Sequence, residues 1–268
     1  MDLDLGGRRV LVTGSSSGIG EATATMLAAE GARVVVHGRD RARAEQVATA
    51  IGAAGVAIGA LSDETSVRGV HDAAVTALGG PVEILINNAG GNAAGNSAVA
   101  PADIAPADFV ANFQANALAA ITLCHLAVPA MVAAKFGRIV NVSSAVAVQP
   151  NNLGADYSAA KAALNNFTVS LAGSLKGAGV TANVLTPGVI VVDGLVRFGR
   201  ARFGDPEMGF EEVSRRLAEE KVFDVPPVGR FGYPRDLAMV ACLLASPLSG
   251  FITGANYRVD GGQVRGLN

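Results

Sequence analysis

Arg8–Gly31 reads RRVLVTGSSSGIGEATATMLAAEG, and its three parts decide the fold. A short β-rich run, Arg8–Val12, stops at the turn Thr13-Gly14-Ser15-Ser16-Ser17-Gly18-Ile19-Gly20, and an apolar helical pattern follows. Strand, glycine turn and helix in that order aim backbone N–H groups and the positive end of a helix at one point, where a phosphate binds. Glycines at 14, 18 and 20 allow a tight turn and close approach of a pyrophosphate. The spacing is neither G-x-G-x-x-G nor a P-loop, since no Gly-Lys-Ser/Thr follows.

Downstream the pattern repeats. A second strand, Arg33–Val36, ends in His37-Gly38-Arg39-Asp40. In dinucleotide folds a carboxylate here holds the ribose 2′-hydroxyl, whereas an arginine suits a 2′-phosphate. Gly38 stands where the acid is expected and Arg39 follows, which favours NADP(H) and leaves NAD(H) open. The competing reading makes Arg39 a solvated surface residue and gives the ribose to Asp40. Helices at Arg41–Ile51 and Glu64–Leu78 alternate with strands at Val56–Ile58 and Val82–Ile86, the latter closing in Asn87-Asn88-Ala89-Gly90. This alternation predicts an α/β fold, a doubly wound parallel sheet of Rossmann type covered by helices on both faces. Asp108–Ala134 reads as a long apolar helix that Pro129 must kink or interrupt. Further strands are expected at Arg138–Val142, Thr181–Leu185 and Asn256–Asp260, with helices at Tyr157–Leu175 and Pro234–Ala245. Between Val191 and Pro227 the patterning weakens apart from an amphipathic Glu211–Glu220, as in a lid over a site. No repeat, low-complexity tract or linker interrupts the 268 residues, so one domain spans 1–268.

Composition narrows the function. Half the residues are hydrophobic, and 21 basic against 23 acidic residues give a formal charge of −2, which offers no electrostatic case for nucleic acid or an anionic membrane. Asn116, Thr122, His125 and Pro129 argue against Ala115–Ala134 as a membrane span. The acidic start MDLDLGG lacks the basic region of a signal peptide, and Cys124 and Cys242 lie far apart in apolar helical patterns. Free thiols in a cytoplasmic protein, with no disulfide and no metal site, are the expectation.

The chemistry sits in Ser144–Lys161, SAVAVQPNNLGADYSAAK. Tyr157 and Lys161 are four apart at the start of a helix, so a phenol and an ammonium share one face. A fixed cation beside a phenol is expected to lower its pKa toward the working pH, where proton transfer is most effective. Ser144 ends a strand and brings a hydroxyl to the same place. Asn116 is either a minor polar residue at a helix contact or a side chain able to hold a water near the site.

Thr13-Gly-x-x-x-Gly-x-Gly20, Asn87-Asn-Ala-Gly90, Asn116, Ser144, Tyr157-x-x-x-Lys161 and Pro187-Gly188 together resemble the short-chain dehydrogenase/reductase family over nearly the whole chain. The resemblance implies about seven strands and a nicotinamide dinucleotide at their C-terminal edge. It casts Tyr157 as general acid or base, Ser144 as the group that polarises a substrate carbonyl, Lys161 as the ribose holder, and Asn116 as support for a water relay. It also implies cofactor contacts from Gly14, Ser16, Ser17, Gly18, Ile19, Gly20, Arg39, Leu61, Asn88, Ala89, Gly90, Pro187, Gly188 and Ile190. Two departures stand out. Ala60 replaces an acid that contacts the adenine in many relatives, and Val192 replaces a threonine that binds the carboxamide. The implied activity is reduction of a ketone or 3-oxoacyl group, or the reverse oxidation, in a homotetramer or homodimer. The alternatives are an NAD-dependent dehydrogenase of a secondary alcohol, sugar or steroid, and a non-catalytic nucleotide-binding regulator. Substrate contacts are expected from Val146–Leu153 and Val189–Phe210.

Overall fold

Strands and helices alternate along the chain as expected, and all the strands join one sheet. A computed structural model describes residues 2–91, 99–150 and 154–266. The strands are β1 (Arg9–Val12), β2 (Arg33–Gly38), β3 (Gly55–Ile58), β4 (Ile84–Asn87), β5 (Gly137–Val142), β6 (Val180–Pro187) and β7 (Asn256–Val259). They form a seven-stranded parallel sheet in the order β3-β2-β1-β4-β5-β6-β7. The order reverses between β1 and β4, where Val10 pairs with Ile84 and Val12 with Ile86. The loops after these two strands therefore diverge and leave a crevice at the C-terminal edge.

Alternate side chains of each strand supply the two faces of the core. Val10 and Val12 point one way and pack with Ala24 and Leu27 of α1 (Gly18–Ala29) and Leu237 and Ala241 of α9 (Pro234–Ala245). Leu11 points the other way, toward Val67, Val70 and Ala74 of α3 (Glu64–Leu78) and Leu123 and Ala127 of α5 (Ala119–Ala133). Cys124 and Cys242 are buried free thiols in these two separate layers. Helix boundaries follow their caps. Asp40 accepts from Arg43 N at the start of α2 (Arg41–Ile51), and Asp63 forms a capping box with Ser66 on α3.

Two expectations need correction. The long helix is interrupted at 114–118, and not at Pro129, which stands inside a continuous helical segment. A π-helical segment, Gln114–Leu118, separates α4 (Pro106–Phe113) from α5, and α5 runs through Pro129 to Ala133. Asn116 lies at the centre of this segment, and its side-chain amide donates to Asn112 O at 3.0 Å, a bond that competes with the helical ladder. Pro106–Ala133 is long and apolar enough to cross a membrane by length and composition, but much of it lies in the core described above.

Within the weakly patterned 191–227 stretch, α8 (Phe210–Glu219) falls on the amphipathic Glu211–Glu220 segment, whereas α7 (Asp193–Phe203) was not expected. Val196, Met208, Val213 and Leu217 pack with Val191 and Phe231 in a small core of their own. Helix α6 (Ala155–Ser174) completes the fold and carries the Tyr157 and Lys161 pair.

Candidate active site

The crevice at the reversal point opens into a cavity of about 950 Å³. Gly14, Ser16, Ser17, Gly18 and Ile19 line one end, with Arg39 and Leu61 beside them, and Asn88, Ala89 and Gly90 form the middle. Tyr157, Lys161 and Pro187 line the other end. Gly14 sits at φ +65°, and a Cβ there would lie 3.0 Å from Ala89 Cα, so the turn requires glycine for both conformation and space. Ser17 is the N-cap of α1 but its side chain caps nothing, which leaves the first-turn N–H groups for an anion at the cavity. Thr13 Oγ1 accepts from Asn88 N and Ala89 N, each at 3.0 Å, and Asn88 Nδ2 donates to Thr13 O at 2.9 Å. Asn88 thus braces the glycine turn from across the crevice.

At the end of β2, a Cβ on Gly38 would meet Ser16 Oγ at 2.6 Å and Ser16 Cβ at 2.8 Å. Contact with the glycine turn therefore leaves no room at position 38 for the ribose-binding acid. Asp40 lines the cavity but caps α2, whereas Arg39 has no ion pair among the described residues. Asp63 is likewise engaged as a helix cap rather than standing in for the acid that Ala60 replaces. Arg43 reaches across the cavity mouth to Asp193 of α7 at 2.8 Å.

At the catalytic end Lys161 is 2% exposed and its Nζ donates to Val142 O at 2.8 Å. Nζ lies 5.8 Å from the centroid of the Tyr157 ring. The two residues do share one helix face, but the expected acidification is not seen. Burial raises the Tyr157 phenol above its usual range, opposed by a hydrogen bond from Ser144, and Lys161 itself is pushed down to about 8 by burial. Asn116 is 1% exposed and bonds Gly91 on both sides, Oδ1 accepting from its N at 2.9 Å and Nδ2 donating to its O at 2.8 Å. A Cβ on Gly90 would lie 2.6 Å from Asn116 Oδ1 and 3.1 Å from Lys161 Nζ, so these two polar groups converge on one glycine.

Not every expected residue faces the cavity. Gly20 is buried against Gly14 O and Asn88 Nδ2, a packing role in which any side chain would collide with the turn. Gly188 packs on Gln263 and Asp260. Ile190 is buried in the core and bridges Gly232, so Pro187 and Val192 form the wall there instead. Asn116 and Ser144 touch lining residues without lining the cavity. Of the expected substrate stretch, 151–153 lies outside the described residues. Sequence reasoning missed His37 and Arg43, which line the cavity, while Asp193 and Arg197, also in its wall, fall within the expected Val189–Phe210 stretch. The polarity of His37 within an otherwise apolar strand was the available signal.

The glycine turn, the uncapped helix end and the guanidinium after β2 fit a nicotinamide dinucleotide along this crevice. The fold and site define a dinucleotide-binding α/β enzyme. The family model for short chain dehydrogenase matches residues 8–200, and the chain belongs to that family. It is an oxidoreductase acting on the CH–OH/C=O pair with a nicotinamide dinucleotide. It is 32% identical to a 3-oxoacyl-(acyl-carrier-protein) reductase of Vibrio cholerae, over 97% of this chain and 98% of that one. It is 34% identical to 3beta-hydroxysteroid dehydrogenase 1 of Eggerthella lenta, over 97% and 94%. Among solved structures, L-sorbose reductase of Gluconobacter frateurii with NADPH and L-sorbose superposes with a TM-score of 0.89 at 28% identity, covering both chains fully. A 3-oxoacyl (acyl-carrier-protein) reductase of Agrobacterium tumefaciens C58 with NADP bound gives 0.85 at 30% identity, over 97% and 96%.

Proposed function

We propose that this protein is an NADP(H)-dependent reductase of a ketone or 3-oxoacyl group that works through Asn116, Ser144, Tyr157 and Lys161. The observation that carries the reading is the joining of Tyr157 and Lys161 to the glycine turn and Arg39 along one cavity. When bound, the nicotinamide supplies or accepts the hydride. Tyr157 donates the proton to the carbonyl oxygen during reduction, and its raised pKa keeps it protonated for that role at neutral pH. The Ser144 hydroxyl, already bonded to Tyr157, orients and polarises the carbonyl. Lys161, held by Val142 O, holds the nicotinamide ribose, and Asn116 fixes the loop at Gly91 beside it.

The 2′-phosphate falls to Arg39, and the solved relatives with NADPH or NADP support that choice. Helices α7 and α8 cover the substrate end as a lid. Sugar and steroid substrates are the competing classes, because a sorbose reductase and a steroid dehydrogenase are as similar as the acyl reductases. A homotetramer or homodimer in the cytoplasm is part of the proposal. Val110 and Phe113 on α4 and Val169 on α6 are exposed apolar residues that suit an interface between copies. A ketone and alcohol panel assayed with NADPH and NADH tests the function. NADPH-linked reduction of 3-oxoacyl thioesters or simple ketones is the expected result, and turnover restricted to NAD-linked oxidation would overturn it.

A further inference from the structure

His37 is the last residue but one of β2, is 3% exposed, and packs against the glycine turn. Its Nδ1 accepts from Gly14 N at 2.9 Å, and its Nε2 faces Gly59 O at 3.2 Å. An N–H on one side and a carbonyl on the other dictate a single form of the ring, neutral with the proton on Nε2. Its backbone joins the same turn. His37 N donates to Ser15 Oγ at 2.9 Å, and Ser15 N donates to His37 O at 2.9 Å. On the far side Asn88 Nδ2 donates to Gly14 O at 3.2 Å.

Gly14 is therefore held on both sides, its N–H by the His37 ring on β2 and its C=O by the Asn88 amide. The N–H groups of the first turn of α1 are left to face an anion. Gly59 follows β3, and Ala60 and Leu61 after it line the cavity. One imidazole thus spans the phosphate turn and the loop on which the base end of the cavity is built.

We propose that His37 is a positioning residue for the dinucleotide: its neutral imidazole sets the Gly14 peptide and so the phosphate cradle, acting on cofactor affinity and not on the chemical step. Burial holds the ring well below its usual range, at about 4, and nearby Arg39 adds to that effect. The bridge therefore stays intact throughout the neutral range. The inference rests on the dinucleotide reading above, so NADPH binding by the wild-type protein is measured first, and failure there overturns that reading.

Three substitutions separate the two bonds. His37→Asn keeps an acceptor at the Nδ1 position, His37→Gln keeps a donor near Nε2, and His37→Leu keeps neither. NADPH dissociation constants, KM for each substrate, kcat at saturating NADPH and melting curves are compared. The Gln and Leu variants are expected to weaken NADPH binding by roughly ten-fold, the size expected when a buried N–H loses its acceptor. Asn should restore binding close to wild type, with kcat unchanged in every folded variant. If Leu does not fold, the contrast between Asn and Gln decides. Equal losses in Asn and Gln, unaltered binding in both, or a fall in kcat at saturating NADPH would overturn the proposal.

Discussion

At position 39 a guanidinium with no ion pair among the described residues stands beside a strand end where Ser16 leaves no space for a carboxylate. Arg39→Ala should raise the KM for NADPH by roughly ten-fold or more, the range of a lost charge-assisted bond, and leave NADH unaffected. Steady-state kinetics with both cofactors check this, and an intact preference for NADPH would remove Arg39 from the site. Lys161 presents the opposite problem, a cation taken out of water. Its pKa falls from 10.5 to about 8 on folding, so between those values the unfolded chain binds more protons and stability rises with pH. Below about pH 8 the burial penalty is fully present. Lys161→Met should therefore melt higher than wild type at pH 7, with the gap closing toward pH 10, while losing activity. A lower melting temperature at pH 7 would contradict this. The raised Tyr157 phenol gives a second pH signature. Reduction should hold its rate across the neutral range, whereas alcohol oxidation should keep climbing into alkaline pH, as rate profiles in both directions would show.

Individual elements were legible in the sequence wherever their ends are written in local chemistry. Helices α2, α3 and α9 begin and end as expected because Asp40, Asp63 and Pro234 start them, and glycines with positive φ at 52 and 79 stop the first two. The π segment at 114–118 was not legible, since it depends on Asn116 meeting Asn112 and the chain at Gly91. Helix α7 was hidden because only Val196 and Gly199 of its residues are buried, too few to show a period. Gly199 nevertheless matters, since a Cβ there would run into Val213 of α8. Gly199→Ala should push α7 and α8 apart, lowering stability by about 1–3 kcal/mol and, if the two form the proposed lid, raising the substrate KM while cofactor affinity stays put. An unchanged substrate KM would show that α7 and α8 do not form the substrate side.

Across the whole molecule, the reversal between β1 and β4 gathers residues 14–20, 39, 88–90, 157 and 161 at one edge of one sheet. Most of this site was readable because spaced motifs specify backbone turns, and each turn sets the direction of the helix or loop after it. Residues that act through tertiary contact, His37 and Gln263 among them, left no motif. Gln263 Oε1 accepts from Val189 N at 3.0 Å, so the C-terminal tail steadies the loop after β6. Assembly belongs to this scale too. Val169→Glu on α6 should shift the sizing profile toward smaller species, and an unshifted profile would place the subunit contact elsewhere.

The most direct measurement is made on Tyr157→Phe, with NADPH binding followed by fluorescence and turnover by absorbance. Removing one hydroxyl should leave the dissociation constant for NADPH at its wild-type value and cut kcat by on the order of a hundred-fold or more. A Tyr157→Phe variant that reduces its substrate at the wild-type rate would contradict the proton-transfer role on which the proposed mechanism is built.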